Sequence, residues 1–339
     1  MITSNSIMHK KIVFCDQNIL SFFTNYSKLE ETTTNSNNDV LNEIKKRDKR
    51  NVIFNFVFTL TECNKKTFPT IKDRNLYILD NFKKIYLASK KLLNYAETDI
   101  RKLENAFKES SKNYNENAYV NLLEALDKIE LYQEFLKNVV PQLVNEVKDE
   151  LTYEKSKNIV KKAVQFNIRP AHPIVIICIL ILCKYDKNLT KHDAKIRNII
   201  KPKKNYNNSD AYNAINDIYF AFFPMIFCNY IQLWDKVNTY EYECLTQDKS
   251  LQKFCNVIKD LYEIVYTRLT LSGIKLYLDK KFFPSLSEDQ YNDLIKLINS
   301  LFNFQKNYLN IPIRNLLNLT SRKEFLLFTT NLNQHFIIY

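Results

Sequence analysis

A single glycine, Gly273, serves 339 residues. Glycine is the residue that enters left-handed backbone without a steric penalty, and tight phosphate-cradling loops depend on it. Neither a Walker loop nor a dinucleotide-binding fingerprint can be written with one glycine. With only eight prolines as well, the chain is poorly suited to hairpin-rich β folds or long flexible linkers. Hydrophobic residues make up 45% of the sequence, so a substantial core is available to one large domain or two ordinary ones.

The net charge is +12. A basic balance favours a polyanionic partner such as nucleic acid or an anionic membrane. A solvated Lys-rich surface gives the same sum, and the abundance of Lys, Asn and Ile fits an AT-rich genome. The seven cysteines, Cys15, Cys63, Cys178, Cys183, Cys228, Cys244 and Cys255, form no CxxC pair and lie mostly in apolar runs. Reduced, buried thiols are expected, and no structural zinc. The N-terminus lacks a long apolar signal region. The longest apolar run, Ile174 to Cys183, is too short to span a bilayer and reads as a buried helix. These features predict a cytoplasmic protein with no membrane partner.

Lys11-Ile-Val-Phe-Cys-Asp16 has the β-branched, unbroken apolar character of a strand buried on both faces. Such a strand delivers Asp16 to its carboxyl end, the edge where open α/β sheets bind ligands. Asn18 can fix the orientation of that carboxylate. A helix is expected from Ile19. An exposed loop follows at 32–39, then a charged helix from Val40 to Arg50. Val52 to Phe58 is a second strand candidate, with Thr61 capping a helix that opens on Glu62. From Leu76 to Phe166 the spacing is almost wholly helical, with breaks at 112–117 and 138–141. Pro170 and Pro173 bracket His172, which suits a packed or exposed loop residue better than a catalytic base.

Ser209-Asp210-Ala-Tyr-Asn213-Ala-Ile-Asn216-Asp217 reads as a helix capped by Ser209. Asp210, Asn213 and Asp217 fall on one face, although an ordinary solvent-facing stripe has the same pattern. Tyr242 to Leu245 is a third strand candidate, with Thr246 and Asp248 at its carboxyl end. A helix is expected from Ser250 to about Tyr277, further helices at 287–309 and 313–319, and a late strand at 325–328.

Four acids thus stand at element ends or on a helix: Asp16, Glu62, Asp217 and Asp248. Crowded carboxylates repel and resist ionisation unless a cation joins them. Mg²⁺ and Mn²⁺ take oxygen ligands and need only a few carboxylates. Next to a phosphodiester such ions polarise phosphorus, activate water and stabilise the leaving oxygen. Each acid also has an ordinary explanation: a helix cap for Asp16, a dipole residue for Glu62, a turn acid for Asp248.

In that order the motifs resemble those of PIN-domain ribonucleases. Phe14-Cys-Asp16-Gln-Asn18 resembles their opening Asp-x-Asn, and Thr59-Leu-Thr-Glu62 their second acid. Asn213-Ala-Ile-Asn216-Asp217 is similar to the third, helical acid, and Thr246-Gln-Asp248 to the closing Thr-x-Asp. The resemblance implies an α/β/α sandwich on a mostly parallel sheet over residues 10–75 and 170–260. It leaves 76–169 as a helical insertion and 261–339 as a mainly helical extension. It implies an RNA-cleaving hydrolase, an endoribonuclease using Mg²⁺ or Mn²⁺. Asp16 and Asp248 would be direct ligands, Glu62 and Asp217 would complete the cluster or bind water, and Asn18 and Thr246 would orient carboxylates. A metal-activated water would be the nucleophile. Asp235 competes with Asp248 on spacing, and Asp210 with Asp217 on position near the helix start; otherwise Asp210 and Asn213 are supporting groups. A toxin or antiviral (phage-defence) setting, with a regulatory protein or a second copy as partner, rests on the family alone. A noncatalytic PIN-like scaffold binding RNA or protein through the helical block is the alternative. No His follows an Arg at the spacing of the all-helical Arg-x4–6-His ribonucleases.

Overall fold

The computed structural model of the chain describes residues 9–29, 35–61, 71–100, 130–145, 148–185, 196–234, 238–267 and 270–304. Four strands form one parallel sheet: β1 (His9–Cys15), β2 (Val52–Asn55), β3 (Glu97–Thr98) and β4 (Thr239–Leu245). Their order is β3-β2-β1-β4. The apolar run that ends at Cys15 therefore sits between two neighbours, as its composition requires.

Strand periodicity divides the core into two layers. Val13 and Cys15 of β1 and Leu245 of β4 point to one face. There they pack with α1 (Gln17–Leu29), α2 (Asn35–Arg47) and α4 (Ile71–Leu92). Ile12, Phe14 and Cys244 point to the other face, against α7 (Pro173–Leu182), α9 (Asn208–Trp234) and α10 (Lys249–Leu261). Between α4 and α7 the described chain also holds α5 (130–139) and α6 (Asp149–Gln165), and α8 (Arg197–Ile200) precedes α9. The result is an α/β protein with helices on both faces of a parallel sheet. Phe14 anchors the second face, edge-on to Phe227 at 5.3 Å and to Phe223 at 5.9 Å.

β4 is the polar member of the sheet. On the α2 side, Glu241 and Glu243 alternate before Leu245. Lys11 reaches Glu243 at 2.6 Å, and Arg47 Nε donates to the same carboxylate at 2.9 Å. Charges on an edge strand discourage pairing with another chain. Among the described residues no helix is long and apolar enough to cross a membrane. The apolar α7 has ten residues, all buried. Six cysteines are free and buried, and Cys63 lies outside the described residues.

Several elements differ from their sequence signals. Helix α2 begins at Asn35, inside the expected 32–39 loop, because Val40 and Ile44 are buried one turn apart on the sheet. β2 stops at Asn55, and α3 (Val57–Thr61) takes the residues expected to extend the strand and cap the next helix. Phe56 and Leu60 are buried in that turn, and their packing overrides the β preference of the run. The block read as helical from 76 to 166 carries β3, so α4 and β3 pack on the sheet. The helix from Lys249 ends at Leu261 rather than near Tyr277. An antiparallel hairpin follows, β5 (Tyr262–Thr267) and β6 (Thr270–Leu276). Its register shifts between the Val265–Gly273 and Tyr266–Leu271 pairs, which leaves Ser272 as the extra residue. Helix α11 (Glu288–Phe304) occupies most of the expected 287–309 span. The elements expected at 112–117, 313–319 and 325–328 lie outside the described residues.

Phe14→Ala should lower unfolding free energy by about 3–5 kcal/mol, the usual result of emptying a buried aromatic position. Urea denaturation checks this, and a loss below about 1 kcal/mol would show that Phe14 does not anchor that face.

Candidate active site

The strand order reverses between β1 and β4. From β1 the chain steps to β2 and then β3 on one side, whereas β4 adds on the other. The helix after β1 packs on one face and the helix after β4 on the opposite face. Two helices diverging from adjacent parallel strands leave a crevice at the carboxyl edge, where ligands bind in such sheets.

Both helices begin on an acid at that crevice. Cys15 is in register with Leu245, and the Asp16 N–H donates to the Leu245 carbonyl at 3.1 Å. Asp16 is buried, 6% exposed. Its Oδ1 accepts the N–H groups of Asn18 and Ile19, each at 3.0 Å. Its Oδ2 accepts the Thr246 hydroxyl and, at 3.4 Å, the Asn18 amide. Thr246 Oγ1 in turn accepts the Asp248 N–H at 3.0 Å. Asp248 caps α10, its Oδ1 accepting from Ser250 at 2.7 Å and Leu251 at 3.1 Å. Asp16, Thr246 and Asp248 therefore form one hydrogen-bonded chain across the two strand ends. The capping roles that would explain Asp16 and Asp248 without chemistry are both filled.

Asp217 comes from α9, which packs along β4. Burial pushes its carboxyl up to about 7; Lys201 opposes the shift, and Asp248 and Asp16 add to it. Burial also raises the Asp16 carboxyl, against hydrogen bonds from Thr246, Ile19 and Asn18.

The structure sets the other described candidates apart from the Asp16–Asp248 pair. Asp210 accepts the Asn207 N–H at 3.0 Å, while Asn207 Oδ1 accepts the Asp210 N–H at 3.0 Å. This reciprocal cap replaces the one expected from Ser209, which lies inside α9. Asp210 also pairs with Lys203 at 2.7 Å, and helix geometry sets it about 10 Å along the axis from Asp217. Asn213 is exposed. Glu62 and Asp235 lie outside the described residues. His172 is buried and stacked on Tyr132 at 4.8 Å, and its Nδ1 accepts the Ile174 N–H at 3.2 Å. Burial pushes its pKa down to about 3, so it is a neutral helix cap in the core.

Two residues near the crevice were not singled out by their sequence context. Thr59 is buried, and its hydroxyl donates to the Cys15 carbonyl, tying α3 to the end of β1. Its place in Thr59-Leu-Thr-Glu62 was the available signal. Lys201 precedes Pro202 in a basic loop, where only its effect on Asp217 marks it out.

The donors at the crevice are carboxylate and hydroxyl oxygens, the ligand type of Mg²⁺ and Mn²⁺. The raised Asp217 carboxyl reflects burial first, with Asp248 and Asp16 adding to it. Among the described residues no group of three or more His, Cys, Asp and Glu side chains is arranged to hold a metal ion. No protein family, curated protein or solved structure matches the chain.

The folded Asp217 holds its proton more tightly than an unfolded carboxyl does. Stability is therefore fully present below the unfolded value of 3.8 and is lost as pH rises toward about 7. In chelator, Asp217→Asn should be more stable than the natural chain at about pH 8, by on the order of 1–2 kcal/mol after solvent screening, with the gain gone near about pH 4. Equal thermal midpoints at the higher pH would place Asp217 in a solvated, uncoupled position.

Proposed function

We propose that the chain is a metal-dependent ribonuclease of PIN-like build, hydrolysing RNA at the crevice between β1 and β4. The observation that carries the proposal is the meeting of two acids from distant parts of the sequence at one sheet edge, with a third acid on the helix packed along β4. Asp16 and Asp248 are joined through Thr246, and Asp217 feels both charges. The β3-β2-β1-β4 parallel sheet with helices on both faces supports the same build.

On this proposal Asp16, Asp217 and Asp248 hold Mg²⁺ or Mn²⁺, directly or through water, with Glu62 as a fourth acid. A bound ion there supplies Lewis acidity and an activated water. The chain's own groups do the rest. Asn18 and Thr246 hold the Asp16 carboxylate in one orientation. The N-termini of α1 and α10 partly balance the acids' charge. The net charge of +12 favours approach of an RNA strand.

A second proposal, a noncatalytic scaffold that binds RNA or protein, is favoured by one observation. The Asp16 carboxylate already takes four hydrogen bonds, which leaves little lone-pair capacity for direct ligation.

Asp16→Asn separates the two. The amide keeps an Oδ1 acceptor for the α1 cap and removes the charge. On single-stranded RNA with Mn²⁺, the expected result is a rate lowered at least about 100-fold, with the thermal midpoint not lowered. Full cleavage by the variant would overturn the nuclease proposal. Absence of Mg²⁺ or Mn²⁺ binding by the natural chain in calorimetry, with RNA binding intact, would favour the scaffold.

A further inference from the structure

Helix α8 ends at Lys201, whose backbone is left-handed at φ 50°, ψ 62°. Its N–H bonds the Arg197 carbonyl at 2.9 Å. This is the helix-ending position at which glycine is the usual residue. Two other described non-glycine residues share a positive φ, Asn167 and Lys184. Asn tolerates that region through its short polar side chain. Lys184 gives its ammonium to Asp149 at 2.6 Å. Lys201 is exposed and makes no ion pair with a described residue.

The surrounding loop is fixed. The buried Tyr206 donates its hydroxyl to the Ile200 carbonyl at 3.0 Å and lies 3.3 Å from that of Asp210. The Asn207–Asp210 cap and the Lys203–Asp210 pair hold its far end. On the other side, Asn198 of α8 donates to Ser250 Oγ at 3.1 Å, two residues beyond Asp248. Lys201 therefore ends a helix that is bonded to the start of α10, at the residue whose N–H Asp248 caps. Lys249, also exposed, follows Asp248 directly. A basic rim thus borders the acids.

We propose that Lys201 is a phosphate-binding residue of the crevice, a preformed cationic contact for the RNA strand whose cleaved linkage meets Asp16, Asp217 and Asp248. The inference rests on the ribonuclease proposal for the choice of RNA, and it adds the residue that grips the strand. A lysine whose only task was to offset the charge of Asp217 would not need to contact RNA. The flexible ammonium acts as a point charge on phosphate, so its contribution is sensitive to salt and indifferent to base.

The test is equilibrium binding of the full chain to a short fluorescein-labelled single-stranded RNA in EDTA, by anisotropy across a salt series. Lys201→Gly removes the charge and suits the left-handed backbone, and Lys201→Arg restores the charge. One phosphate contact contributes about 0.7 to the slope of log affinity against log salt for single strands, so the Gly variant should flatten the slope by that amount and weaken binding about fivefold. The Arg variant should return both toward natural values, and the Gly variant's thermal midpoint should not fall. Unchanged affinity and slope in the Gly variant would overturn the proposal, as would absence of RNA binding by the natural chain. Because EDTA excludes metal-dependent cleavage, the result is independent of the Asp16→Asn assay. A Lys201 effect without cleavage leaves an RNA-binding crevice and removes the nuclease. Cleavage without a Lys201 effect removes only the lysine's role.

Discussion

Parallel pairing of β1 with β4 is the constraint on which the site depends. It sets Cys15 beside Leu245, so the next residue of each strand emerges at the same edge. The Asp16–Thr246–Asp248 chain follows from that register. A slip of one residue would turn Asp16 and Thr246 to opposite faces. The register is held by the alternation that puts Ile12 and Phe14 on one face and Val13 and Cys15 on the other. Salt bridges from Lys11 and Arg47 to Glu243 hold the polar half of β4 in place.

Burying Asp16 and half-burying Asp217 and Asp248 is unfavourable, and the fold offsets it unevenly. Asp16 and Asp248 receive the backbone N–H groups of two helix N-termini, which stabilise negative charge. Asp217 lies within α9, away from either helix end, and burial raises its carboxyl to about 7. A raised acid on the helix packed along β4, together with two capped ones at its carboxyl end, is a pattern that structural caps alone do not require. Perturbed carboxyls in a crevice mark functional sites more often than chance. On the proposal made for Lys201, its loop sets positive charge at the rim, where a phosphate strand would lie.

β1 was legible because an apolar run ending in an acid has few other uses than a central parallel strand. Asp16, Asn18, Thr246 and Asp248 were legible for the same reason, since short motifs at strand ends survive without knowledge of the tertiary contacts. β3 was invisible. Glu97–Thr98 is two residues long and has no apolar alternation, so only its pairing to β2 defines it. The β5–β6 hairpin was hidden because Tyr262, Ile264, Val265 and Leu276 satisfy a helical period as well as a strand. Asp210 and Asp217 share a helix face, and only Asn207 and Lys203, both brought close by the fold, reveal that Asp210 is a cap. Lys201 looked like one more lysine in a lysine-rich chain until its backbone conformation and its neighbour Asp217 were known.

The most direct measurement is a crystal structure of the chain grown with Mn²⁺, with anomalous diffraction to locate the ion. The account predicts an anomalous peak in the crevice between the carboxyl ends of β1 and β4, in contact with oxygens of Asp16, Asp217 or Asp248 or with waters they bind. A well-ordered crevice with no peak at a Mn²⁺ concentration that saturates ordinary carboxylate sites would contradict it, leaving Asp16 and Asp248 as helix caps on an α/β scaffold.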